Sequence, residues 1–149
     1  MQLHLRARAA LISAALVIGA GLASPAAAQA NDALFQQLGG QSGLVTLMDD
    51  FMRRLLADQR MGPFFKDVDH AHVKEQLVAQ FCEVSGGPCK LTGPDMKKAH
   101  SGFDVTRADF NALVEVLQQS MDAQGIAFST QNRLLAKLAP MHREIVNTP

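Results

Sequence analysis

Apolar residues in this chain recur every three to four positions over long stretches, and nowhere do apolar and polar residues alternate for the length of a strand. Leu44, Leu47, Met48, Phe51, Met52, Leu55 and Leu56 form one such stripe, and Val73, Leu77, Val78 and Phe81 a second. Phe110, Leu113, Val114, Leu117 and Met121 form a third, and Leu134, Leu135, Leu138, Met141, Ile145 and Val146 a fourth. Four segments with a helical period must bury their stripes against one another, so the chain reads as all-α.

Glycine and proline punctuate these segments. A short helix over Asp32 to Leu38 ends at Gly39-Gly40, where left-handed backbone angles are open to the chain, and Ser42 is expected to cap the next helix. Asp58 to Pro63 breaks that helix and leaves Phe64-Phe65 in a connection; a third helix spans about Asp69 to Ser85 and stops at Gly86-Gly87-Pro88. From Pro88 to Thr106 the sequence is irregular, with one helical turn at about Asp95 to Ser101. Thr106 caps a fourth helix ending near Gly125, Ser129 or Thr130 begins the last one, and Pro140 predicts a kink within it.

Residues 1–28 stand apart from this pattern. Arg6 and Arg8 precede an apolar run from Ala9 to Ala23, followed by Ser24-Pro25-Ala26-Ala27-Ala28. This is the layout of a secretory signal, cleaved after Ala28 or Ala30, and the run is shorter than the roughly 20 residues a membrane span requires. The expectation is an exported, periplasmic protein with one domain over residues 31–147 and no stable membrane span. Without Arg6 and Arg8 the chain keeps 12 basic residues against 14 acidic ones, dispersed along helices, so nucleic acid is not an expected partner.

Export permits a disulfide, and Cys82 and Cys89 flank Gly86-Gly87-Pro88, a segment able to turn sharply enough to join them. Free core thiols are the alternative, and a metal site lacks further ligands. Four histidines remain after the leader: His70, His72, His100 and His142. The chain has no His-Glu-x-x-His, Cys-x-x-Cys, Gly-x-Ser-x-Gly or phosphate-binding glycine loop, so hydrolytic, zinc and nucleotide chemistry lack support. His100 lies one helical turn after Met96 in the long irregular stretch, and such loops often carry function. Spacing alone leaves it open between an exposed loop histidine and an imidazole ligand of a non-covalent haem.

Taken in order, Leu34-Phe35-Gln36-Gln37-Leu38-Gly39-Gly40, Asp49-Asp50-Phe51, Leu56-Ala57-Asp58, Pro63-Phe64-Phe65, Gly86-Gly87-Pro88, Thr92-Gly93, Met96-Lys97-Lys98-Ala99-His100 and Ala139-Pro140 resemble the truncated haemoglobins of group I. The resemblance runs from about Asp32 to Val146. It implies a two-over-two helical sandwich around haem b, with His100 as the proximal iron ligand and Phe65 packed flat on the haem. It further implies Met96, Val105, Phe110 and Leu113 against the haem, Lys97 beside a propionate, and a distal pocket of Met52, Phe65, Val73, Gln76, Leu77 and Phe81. His142 matches a place where a few relatives join a histidine to a haem vinyl group.

Many members of that family hold oxygen with a tyrosine after the phenylalanine matched by Phe51, and with a glutamine on the next long helix. This chain has Met52 and Leu77 there, with Val73 at the distal gate. An oxygen ligand takes on partial negative charge, so the loss of both donors implies fast oxygen release and a pocket favouring carbon monoxide and nitric oxide. Gln76 turned inward, or Met52 or His72 as a sixth ligand, are the alternatives. The expected function is binding of diatomic gases by a monomer. Nitric oxide dioxygenation or peroxidase-like turnover is the alternative, and it would need an external electron donor.

Overall fold

The computed structural model describes residues 33–148, so the leader reading of residues 1–28 lies outside the described residues. Residues 33–37 form a first helix, α1. It is followed by α2 (Gly40–Ala57), α3 (Gly62–Phe65), α4 (His70–Val84), α5 (Met96–Ala99), α6 (Arg107–Ala123) and α7 (Phe128–Leu138). A 3-10 turn at Ala139–Met141 and α8 (His142–Ile145) complete the order, and no strand occurs among the described residues. No described helix is long and apolar enough to cross a membrane.

Packing of α2 organises the whole. Its stripe of Leu44, Leu47, Met48, Phe51, Met52 and Leu55 is buried, and it lies against α4 within one layer and α6 in the other. α7 in turn touches both α4 and α6, so the pair α2 and α4 is stacked on the pair α6 and α7. This is the two-over-two arrangement. Each buried Leu, Met or Phe withdrawn from water stabilises such a core by roughly 1.5 to 3 kcal/mol.

The predicted stripes are mostly the right residues divided differently, and Leu56, placed in the α2 stripe by its period, is 39 % exposed because it follows the last buried turn of that helix. On α6 the structure buries Ala112, Val116, Leu117, Ser120 and Met121 and leaves Phe110, Leu113 and Val114 half-covered. The small Ala112 and Ser120 flank Val116 on one i to i+4 row, and Ser120 Oγ donates to the Val116 carbonyl at 3.1 Å. Val73 and Leu77 on α4 are likewise half-covered.

Helix ends account for most of the remaining differences. Thr106 caps α6 as expected, within a reciprocal capping box with Asp109. Ser42 does not cap α2: the helix starts at Gly40, Gly39 is its N-cap at φ 84°, and Ser42 Oγ instead donates to the Gly39 carbonyl at 3.4 Å. Two consecutive left-handed glycines complete the reversal before a serine is needed. Phe64 and Phe65 are helical, because Pro63, which helps break α2, also suits the first turn of α3. α7 begins at Phe128 with no side-chain cap, earlier than Ser129 or Thr130. Pro140 breaks the last helix into α7, the 3-10 turn and α8.

One close approach fixes where α1 meets α2. A Cβ at Gly43 would collide with the backbone carbonyl of Leu38, and no side-chain adjustment relieves a backbone clash. Gly43→Ala is therefore expected to destabilise the protein by about 1 to 3 kcal/mol in urea unfolding, the range for overpacking. Thr106→Ala should cost about 1 kcal/mol through the lost cap in the same measurement.

Candidate haem site

The site is built on the least regular part of the described residues. The four-residue α5 is capped by Asp95, whose side chain accepts from Lys98 N at 2.7 Å, and His100 is its C-cap. The half-buried His100 ring places Nδ1 2.7 Å from the Met96 carbonyl oxygen. A carbonyl only accepts, so Nδ1 carries the proton and Nε2 is left with its lone pair. This is the preparation a metal-ligating imidazole needs, with the second nitrogen fixing both tautomer and ring orientation.

A lone imidazole cannot by itself hold an ion. Among the described residues no group of three or more His, Cys, Asp or Glu side chains could do so. The donor set therefore fits a metal whose other ligands come with it, as in a porphyrin. The surroundings suit an apolar plate: Phe64, Phe65, Leu77 and Leu113 pack on the core yet remain only partly covered, as does Met96. Val105 and Phe81 are buried, and Phe110 is half-covered with the His142 ring edge-on to it at 4.9 Å. Lys97 is exposed on α5, and the exposed His72 sits in the first turn of α4.

Of the expected distal residues, Met52 is only 4 % exposed and contributes to a shallow groove with Asp49, Arg53, Leu56, Ala57, His70 and Lys74. Lys74 bridges α4 to α2 there through Asp49 at 2.6 Å. His70 Nε2 stands 2.7 Å from the Phe65 carbonyl, tying the segment that carries Phe65 to the start of α4. Gln76 is half-buried, and its Oε1 lies beside Gly93 in the loop before α5.

Two features had no sequence signal. Gln80 on α4 is 8 % exposed and donates from Nε2 to the thioethers of Met141 at 3.0 Å and Met96 at 3.5 Å, linking three elements around the site. Asn147 bonds the segment between His100 and Val105. Both act across more than a dozen residues of chain, which no local period reveals.

The loop leading into α5 is fastened to α4. Cys82 and Cys89 lie at disulfide-bonding distance with Cα atoms 5.7 Å apart. Next to them, the Glu83 carboxylate accepts from Leu91 N at 2.8 Å and Lys90 Nζ at 3.1 Å. The Leu91 amide, and after it Lys90, hold the Glu83 carboxyl below its ordinary value.

Two stacked helix pairs, a short helix presenting one tautomer-fixed imidazole and half-covered apolar side chains nearby together define a protein of the globin class. The sequence profile of the bacterial-like globins matches residues 33–147, and the chain belongs to that family, among the group 1 truncated haemoglobins. It is 30% identical over 112 residues to the group 1 truncated haemoglobin GlbN of Mycolicibacterium paratuberculosis, covering 75% of this chain and 82% of that one. With the corresponding GlbN of Synechocystis it shares 29% identity over 120 residues, 76% of this chain and 97% of the relative. In fold it is similar to the truncated haemoglobin of Tetrahymena pyriformis, with a TM-score of 0.74 and 24% identity, over 77% of this chain and 98% of that one. The family carries a haem cofactor.

Because the folded Glu83 is depressed, its contribution to holding the loop is present above the unfolded value of about 4.5 and is lost as pH falls through the folded one. The Leu91 amide resonance should accordingly shift with a midpoint below pH 4.5, and Glu83→Gln should abolish that titration.

Proposed function

We propose that His100 is the proximal ligand of haem b, and that the protein binds diatomic gases on the opposite face in a pocket of Met52, Phe65, Val73, Leu77 and Phe81. The observation that carries the reading is the His100 Nδ1 to Met96 carbonyl bond of 2.7 Å, which leaves Nε2 as a ready donor. Bound haem supplies an iron able to take oxygen, carbon monoxide or nitric oxide as a ligand. The chain supplies the rest: α5 orients the imidazole, and Phe65, Leu77, Phe110 and Leu113 exclude water around the cofactor.

Met52, Val73 and Leu77 carry no hydrogen-bond donor, so nothing on these side chains stabilises the charge an oxygen ligand acquires. Fast oxygen release follows, and carbon monoxide and nitric oxide, which need such a donor less, are favoured. This weighs for gas binding over dioxygenation, which must retain oxygen until it reacts. Export to the periplasm completes the reading: the Arg6 and Arg8 start, the apolar run and Ala26-Ala27-Ala28 support a cleaved leader, and the paired Cys82 and Cys89 suit an oxidising compartment.

Wild-type protein is expected to show a haem Soret band that His100→Ala loses or strongly weakens. Stopped-flow replacement of oxygen by carbon monoxide should give a release rate that Met52→Tyr slows by about tenfold, as expected for one added donor. Wild-type release no faster than that of Met52→Tyr would overturn the open-pocket reading. A truncated haemoglobin of Synechococcus has been solved with covalently attached haem. Here His142 faces the Phe110 ring, and acid–acetone extraction should remove all the haem.

A further inference from the structure

We propose that Asn147 is a positioning residue for the His100 imidazole, acting through the backbone that carries it. The proposal rests on the reading of His100 as the haem ligand. α5 has four residues, too few to sustain a helix alone, and beyond His100 the chain swings through Gly102 at φ 90°. The ring is oriented by its bond to Met96, but that bond is internal to the same short turn. What places the turn relative to the rest of the protein must come from elsewhere.

Asn147 supplies that tie at both ends of the segment. Its Nδ2 donates to the His100 carbonyl at 3.1 Å, and its Oδ1 accepts from Val105 N at 2.9 Å. The backbone amides of Asn147 and Thr148 both donate to the Val105 carbonyl at 3.1 Å. One side chain thus bridges residues 100 and 105 from 47 and 42 positions away. The geometry needs a donor and an acceptor on one planar group, which a carboxamide offers and a carboxylate or an alkyl group does not. The His100 carbonyl also accepts from Phe103 N at 3.3 Å, so loss of Asn147 Nδ2 removes the tie at the His100 end of the turn without orphaning the carbonyl, and leaves only the weak Gln80 contact to Met96 at the other end. The turn would then be free to shift, and with it the approach of Nε2 to the iron.

Asn147→Asp separates positioning from simple anchoring, since it keeps the acceptor for Val105 N and the backbone bonds but loses the donor to His100. Haem-loaded Asn147→Asp should release hemin to excess apomyoglobin about fivefold faster than wild type, the effect of one lost hydrogen bond. Its ferrous, unliganded form should show a shifted or broadened iron–histidine stretching band by resonance Raman. Thr148→Ser, which keeps its backbone bond and the hydroxyl that donates to Asn147 Oδ1 at 3.4 Å, should match wild type in both. Wild-type hemin loss with an unchanged band in Asn147→Asp would overturn the proposal. So would a lowered melting temperature of the apoprotein with an unchanged band, which would make Asn147 an anchor only. A Soret band left unchanged by His100→Ala would instead overturn the His100 reading, and is seen before any Asn147 variant is made.

Discussion

Burial of the α2 stripe is the interaction on which everything else depends. Leu44, Leu47, Met48, Phe51 and Leu55 are at most 1 % exposed and meet α4 on one side and α6 on the other. Because α2 must satisfy two neighbours, the four long helices are forced into two stacked pairs. α5 stands outside that stack, contacting α8 rather than a long helix among its stronger packings. The separation is useful: a dense core holds the frame, while the histidine rides on a segment whose position is set by a few polar bonds.

Those polar bonds form a ring of supports of different chemistry. Asp95 caps the turn, Glu83 and the Cys82–Cys89 pair hold the loop that enters it, and Asn147 holds the loop that leaves it. Gln80 reaches up from α4 to the sulfur of Met96. Thioethers are weak acceptors, so this last contact guides the packing more than it binds. In the proposed reading the distal side, by contrast, is defined by what its side chains lack: Met52 and Leu77 offer no donor to a ligand, and both fit the frame without altering it.

Much of the frame was legible in the sequence because it depends on period and punctuation. The stripes of α2, α4, α6 and α7, the Thr106 cap and the Pro140 break all have local signatures, and the order of short motifs indicated the family. The misread points are where one signal serves two purposes. Pro63 ends one helix and opens another, and Gly39 with Gly40 caps a helix that Ser42 seemed fitted to cap. The half-covered state of Phe110, Leu113, Val73 and Leu77 is invisible to a period, which places a residue on an apolar face without saying what that face meets. Gln80 and Asn147 were missed for a different reason: their partners are brought near only by the completed fold.

The double fastening of the loop around α5 bears on the order of events during maturation. Between the tie at Leu91 and the tie at Val105 the Asp95 cap and the Asn147 bond to His100 pin the chain at further points, so part of the entropy of arranging His100 is already spent before a cofactor arrives. A site prepared in this way meets its ligand as a nearly rigid receptor, and binding energy that would otherwise go into ordering the chain is retained as affinity. Such preparation favours capture of a cofactor from a dilute supply.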